Sequence, residues 1–193
     1  MNAKLLALIF LSVALVSSSL FCICKNTNEY FQQNLFLPMQ NHDYIIRPYG
    51  DCPDNIKKNV VDAFQKEWGT DTTTYNDEII SLLWKQPDVL FVMTDKRGIF
   101  IGTSGIDRNY YYPFISHLFV MKDFRNKGYG TTLLNATESY GTSFLKSDTM
   151  SLWCKEECVD FYKKRGWSEH GVSGFSNPVL GNTLMTKKRQ EFA

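Results

Sequence analysis

The chain has 193 residues, 44% of them apolar and 15% aromatic, with 21 basic side chains against 20 acidic ones. That length holds one domain with a sizeable core plus one appendage, and the aromatic content excludes a disordered chain. The charge balance excludes a broad basic face for nucleic acid, and Lys187, Lys188 and Arg189 read as a solvated end. The five cysteines (Cys22, Cys24, Cys52, Cys154 and Cys158) are odd in number and lack zinc-ligand spacing, so neither a disulfide scaffold nor a metal site is expected.

Residues 5–24 carry no charge, and apart from Cys22 and Cys24 their only polar side chains are Ser12, Ser17, Ser18 and Ser19. A helix of about 20 residues rises roughly 30 Å, the depth of a bilayer's hydrocarbon core. Two readings fit. An uncleaved signal anchor would make a single-pass membrane protein. A cleaved signal peptide, with Val16 and Ser18 or Ser17 and Ser19 before the cut, would leave a secreted or lumenal one. The anchor fits the length better, because residues 20–24 continue the apolar run past either site. Lys4 and the amino terminus, set against Lys25, lean toward a cytoplasmic N-terminus. Residues 25–42 read as a polar linker, and a folded domain is expected over 43–190.

Residues 44–48 form a short β-type run stopped by Pro48. Ile56, Val60, Phe64 and Trp68 then recur four apart, which predicts a helix over 54–68, ended by Gly69. A shorter helix follows from Asn76 through Ile79, Ile80, Leu83 and Trp84. Residues 89–94 and 99–107 are two strands joined by the tight loop 95–98, a hairpin signal. Residues 114–120 make a third strand. A helix from Tyr129 carries Leu133, Ala136, Tyr140 and Phe144 on one face. Residues 150–154 are a strand and 159–164 a short helix stopped at Gly166. Trp167 and residues 183–186 supply closing strands around the loop 171–182. The Asn135-Ala-Thr137 glycosylation pattern falls inside a helix and reads as unused. The order β-α-α-β-β-β-α-β-α-β-β describes a mixed α/β domain.

Between the third of these apolar strands and the long helix stands Arg125-Asn-Lys-Gly128-Tyr-Gly130. Glycines there let the backbone turn and approach a ligand, with N–H groups pointing out at a helix start, an arrangement suited to pyrophosphate. It is not a P-loop, since Gly130 is followed by Thr131 without the lysine. It is not a dinucleotide fingerprint either, since the third glycine is replaced by Leu133.

The stretch from His117 through Gly130 to Leu134 resembles the acetyl-CoA-binding signature of the GNAT acetyltransferase superfamily. Ser151-Leu-Trp-Cys154 followed by Phe161-Tyr-Lys-Lys-Arg-Gly-Trp167 is similar to that family's later strand and its F-Y-x-K-x-G-F element. Trp167 stands in place of the usual phenylalanine, and Lys155 where asparagine is common. The resemblance implies a mostly antiparallel GNAT-like sheet flanked by helices. It implies that the backbone of Leu118, Phe119 and Val120 pairs with the pantetheine arm of acetyl-CoA. Arg125, Asn126, Lys127, Gly128, Tyr129, Gly130 and Thr131 would hold the pyrophosphate. Tyr162 would protonate the departing thiolate as a neutral amine attacks the thioester.

Each residue also has a plainer reading. Tyr162 shares a helical stripe with Cys158 and Phe161 and could be a packing residue. His117 has a pKa suited to a general base, but strand alternation puts it on the face opposite Ser116 and Phe114, so a structural histidine is the competing reading. Cys154 and Cys158 have no activating base beside them in sequence. The acceptor amine is not legible, although residues 55–85 and 171–182 would shape its pocket. A non-catalytic acyl-CoA-binding domain is the alternative to an N-acetyltransferase.

Overall fold

The computed structural model describes residues 39–40, 43–70, 73–85, 88–108, 112–170 and 182–188. All described residues but Met39 belong to one compact unit, Gln40–Ala193. The apolar run 5–24, most of the expected linker and the loop 171–181 lie outside the described residues.

The described elements are β1 (Met39–Gln40), β2 (Tyr44–Pro48), α1 (Asp54–Trp68), α2 (Asp77–Leu83), β3 (Val89–Asp95), β4 (Phe100–Asp107), β5 (Phe114–Val120), α3 (Tyr129–Ser143), β6 (Thr149–Lys155), α4 (Val159–Lys163), β7 (Ser168–Glu169) and β8 (Asn182–Lys188). They build an eight-stranded sheet in the order β1-β2-β3-β4-β5-β6-β8-β7. From β2 onward every pairing is antiparallel except that of β5 with β6, which is parallel. The element order anticipated a mixed α/β domain, and the resemblance implied the mostly antiparallel sheet flanked by helices that is seen.

Local chemistry sets the helix ends. α1 begins after Pro53, whose ring fixes φ at −60°, and Ile56, Val60 and Phe64 turn one buried stripe toward the sheet. Asn76 caps α2, its side-chain oxygen accepting the Ile79 N–H at 2.8 Å. The Tyr49 hydroxyl donates to the Asp77 carboxylate at 2.7 Å and ties the start of α2 to the turn after β2. β4 serves both faces of the sheet by alternation. Ser104 meets Thr137 of α3, the two hydroxyl oxygens lying 2.8 Å apart, and Ile106 packs against α3 at Gly141. On the other face, Gly105 lies under the indole of Trp84.

Three expected boundaries shift. Ile99 is 44% exposed and precedes β4, because Asp95 holds its N–H at 2.8 Å within the turn. The short helix α4 stops at Lys163, since Gly166 adopts φ +80° and turns the chain out of the helix. Trp167 does not pair as a strand. Its backbone N–H bonds back to the Tyr162 carbonyl at 3.2 Å, while its buried indole donates to Glu138 Oε1 at 2.8 Å. Strand β7 begins one residue later.

The feature that positions everything below is a bulge in β5. Phe119 pairs with Thr103 and Ser116 with Gly105, so His117 and Leu118 together oppose Ser104. On its other edge β5 pairs with β6 only through Phe114–Ser151 and Ile115–Leu152, and beyond those residues the strands part.

The close approach at Gly105 gives a stability test. A Cβ there would come within 2.5 Å of Trp84 Nε1 and 2.9 Å of its Cε2. Gly105→Ala is expected to lower the unfolding free energy by about 1–3 kcal/mol, the usual cost of overpacking. Urea denaturation of the two proteins measures it, and an unchanged midpoint would mean that the indole moves aside freely.

Candidate active site

Where β5 and β6 part, a cleft of about 810 Å³ opens. One wall is β5 from Ile115 to Val120, and the other is Trp153, Cys154 and Lys155 of β6. The start of α3 and the residues Phe161, Tyr162 and Arg165 of the α4 region close one side, and Glu67 and Trp68 at the end of α1 reach the rim.

The loop between β5 and α3 adopts two left-handed residues, Asn126 at φ +62° and Gly128 at φ +85°. Gly128 is the N-cap of α3, and no side chain caps that end. A helix leaves its first N–H groups without internal partners and its N-terminus partly positive, so this end presents donors to an anion. Gly130 lies within the first turn of the helix, which starts at Tyr129 as the sequence predicts. A Cβ on it would sit 3.7 Å from Phe161 Cζ and Val120 Cγ2, so glycine there keeps open a gap between those side chains.

Of the expected loop residues, Arg125, Asn126, Gly128, Gly130 and Thr131 line the cleft. Lys127 turns to the Asp123 carbonyl at 3.0 Å and over the Phe124 ring. Tyr129 packs edge-on against Tyr44 and Phe124. The side chains of these two residues serve the loop's own packing. Arg125 Nε donates to the Val120 carbonyl at 2.9 Å, joining the loop to the end of β5. Leu118, Phe119 and Val120 all reach the cleft wall.

Tyr162 is 8% exposed and lines the cleft with Cys154 and Cys158. Burial, with the two thiols adding to it, pushes its phenol well above the ordinary range, so the hydroxyl keeps its proton at neutral pH. Its ring is held edge-on by Phe161 and Trp167. Burial also pushes the Cys154 thiol up to about 12 and raises that of Cys158. Thiols held protonated in this way are poor nucleophiles.

His117 corrects a prediction. Alternation was expected to set it apart from the face of Ser116 and Phe114, but the bulge interrupts alternation and His117 adopts φ +52°. Its ring stacks on Phe64 at 5.1 Å and meets Trp68, Tyr75 and Trp84 edge-on. Among these apolar rings a charged imidazole is disfavoured, and burial lowers its pKa to about 4. Among the described residues, neither His117 Nδ1 nor the neighbouring Trp84 Nε1 has a hydrogen-bond partner, although both atoms are buried.

Arg165 was not singled out as a site residue by the sequence, where its only signal was a basic pair with Lys164. The fold brings it 34 residues back along the chain to Thr131, whose hydroxyl oxygen accepts from Arg165 Nε at 2.9 Å and from Nη2. Its Nη1 donates to the Phe161 carbonyl, and its guanidinium lies 3.7 Å over the Phe161 ring.

The Acetyltransferase (GNAT) domain family matches residues 55–188, well over half of the chain. No curated protein matches the sequence. Solved structures with a similar fold include a point mutant of the Vibrio cholerae spermidine N-acetyltransferase SpeG, 15% identical, covering 77% of this chain and 95% of that one with a TM-score of 0.60. A chimera of that protein with hSSAT is 16% identical, covers 75% and 95% of the two chains and has a TM-score of 0.57. A GNAT-family acetyltransferase from Staphylococcus aureus MU50 is 17% identical and covers 75% and 98%, also with a TM-score of 0.57. At these identities the likeness is one of fold.

The aromatic setting of His117 predicts a pH dependence. Between the ordinary histidine pKa of 6.5 and its folded value of about 4, the unfolded chain binds a proton that the folded chain refuses. Stability contributed by the neutral ring is therefore complete above about pH 6.5 and declines as pH falls toward 4. His117→Phe keeps a ring and removes the titration, so the loss of stability between pH 7 and pH 5 should be smaller in the variant. Urea unfolding at both pH values compares them, and an equal loss in the two proteins would contradict the assignment.

Proposed function

The chain belongs to the GNAT acetyltransferase family, and from that premise we propose that it is an N-acetyltransferase that moves an acetyl group from acetyl-CoA to an amine by direct attack. The observation that carries this reading is the parting of β5 from β6 over an uncapped helix N-terminus, with the Tyr162 phenol lining the same cleft. An extended pantetheine arm finds a strand edge at Leu118, Phe119 and Val120, where β6 no longer pairs. The first N–H groups of α3, the Arg125–Gly130 loop and the Thr131 hydroxyl suit a pyrophosphate. The gap kept by Gly130 between Val120 and Phe161 lets the ligand approach the helix backbone.

In this reading the amine attacks the thioester carbon as the neutral base, the C–N bond forms, and the C–S bond breaks. Tyr162 delivers its proton to the departing sulfur. An acyl-enzyme route is disfavoured by the raised pKa values of Cys154 and Cys158. His117 is not assigned the amine's proton, because charging it would place a cation among Phe64, Trp68, Tyr75 and Trp84, and its pKa of about 4 makes it a weak base. Deprotonation of the amine is assigned to solvent at the cleft mouth. Glu67 and Trp68, the residues of α1 that line the cleft, are assigned to meet the acceptor.

An amine panel with acetyl-CoA, following free-thiol release, tests the reading. Turnover on one or more amines is expected, whereas tight CoA binding without turnover would identify a non-catalytic acyl-CoA-binding domain. With an active amine in hand, Tyr162→Phe should lower kcat by ~10²–10⁴, the usual range for general acid catalysis, with little change in the acetyl-CoA KM. A kcat within twofold of wild type would leave Tyr162 a packing residue.

We also propose that residues 5–24 attach the protein to a membrane, on the ground of their length and lack of charge. Among the described residues no helix is long and apolar enough to cross one. The full chain should remain with membranes through alkaline carbonate extraction. A mature N-terminus near Ser19 or Leu20 would replace the anchor by a cleaved signal.

A further inference from the structure

Three other threonines on α3 use their hydroxyls in the ordinary helical way. Thr132, Thr137 and Thr142 donate to the carbonyls of Gly128, Leu133 and Glu138, four residues earlier. Thr131 behaves differently. Its hydroxyl oxygen receives two N–H groups of Arg165, and a hydroxyl has only two lone pairs. With both occupied, the one hydrogen-bonding capacity left to Thr131 is its own O–H, on a side chain that lines the cleft at the first turn of α3.

We propose that Arg165 is a positioning residue for phosphate recognition, which fixes the Thr131 hydroxyl as a donor into the cleft. The inference rests on the reading of the cleft as a CoA site. The guanidinium is itself held in place, by the Phe161 carbonyl on one nitrogen and by the Phe161 ring beneath its plane. Its planar fork gives it the paired donation that a lysine ammonium, a point charge on a flexible stem, cannot reproduce. Two charge-assisted bonds into one oxygen also polarise its O–H, and so strengthen the bond that it donates onward to an anion. Arg165 thus acts on the pyrophosphate end through the Thr131 hydroxyl, from outside the Arg125–Gly130 loop, whose own Lys127 is turned toward Asp123 and Phe124.

The test is a double-mutant cycle on the full chain, with CoA dissociation constants measured by isothermal titration for wild type, Thr131→Val, Arg165→Gln and the double variant. Thr131→Val and Arg165→Gln should each weaken CoA by about tenfold or more, the scale of a hydrogen bond to a charged group. In the double variant the arginine effect should shrink to within about twofold, because it acts through the hydroxyl. Arg165→Lys keeps a charge but not the paired donation, and should fall between wild type and Arg165→Gln. It also serves as the reporter if Arg165→Gln fails to fold. Pantetheine, which lacks the phosphates, should inhibit all folded variants equally. Arg165 variants within twofold of wild type for CoA would overturn the inference and leave the proposed function standing. Additive effects would overturn the route through Thr131, and equal losses for pantetheine and CoA would reduce Arg165 to packing. Absence of CoA binding by the wild type would overturn the proposed function, and this inference with it.

Discussion

The structure depends on one extra residue in β5. With His117 and Leu118 set against Ser104 alone, β5 keeps its ladder with β4 from Phe114 to Val120 yet leaves β6 after Ile115. A bulge bends its strand and sharpens its twist, so a strand can stay paired on one edge and be released on the other. The released edge is one wall of the cleft, and the helix α3 that follows delivers its N-terminus to the same opening.

That bulge carries a cost. A non-glycine residue at φ +52° is strained by about 1–2 kcal/mol, and His117 Nδ1 is buried without a partner among the described residues. Several contacts hold it nonetheless. The Thr103 hydroxyl donates to the His117 carbonyl at 2.9 Å, and the imidazole is packed among Phe64, Trp68, Tyr75 and Trp84 of the α1 and α2 region. Helix α1, whose Trp68 lines the cleft, thus also packs against the bulged residue. Substitutions in this aromatic cluster will act on the geometry of the cleft as well as on stability.

A chain with a net charge of +1 still presents concentrated positive character at one end of its cleft. Arg125 is fastened to Val120 O, Arg165 to Thr131 and Phe161, and the dipole of α3 adds its positive end. Composition could not reveal this, because Glu67 and Glu157 line the same cleft and only their placement separates the signs. Tyr162 lines the same cleft, buried and beside the thiols of Cys154 and Cys158.

The sequence by itself determined the order of the elements, the apolar stripe of Ile56, Val60 and Phe64, and the glycine-bearing turn before α3, because these depend on spacings of a few residues. It also determined that Tyr162 stands on a short helix next to Phe161. Other features were decided only by tertiary structure. The bulge is invisible in the run Phe114 to Val120, whose alternation reads as an unbroken strand, and so the face of His117 was misjudged. Lys127 and Tyr129 belong to the motif by position, but they leave the cleft because Asp123, Phe124 and Tyr44 give their side chains better packing. Arg165 reaches Thr131 across 34 residues, a separation over which no local pattern operates. Spacing governs what a residue does to its own helix or strand, whereas partners from distant segments are chosen by the packing of the finished sheet.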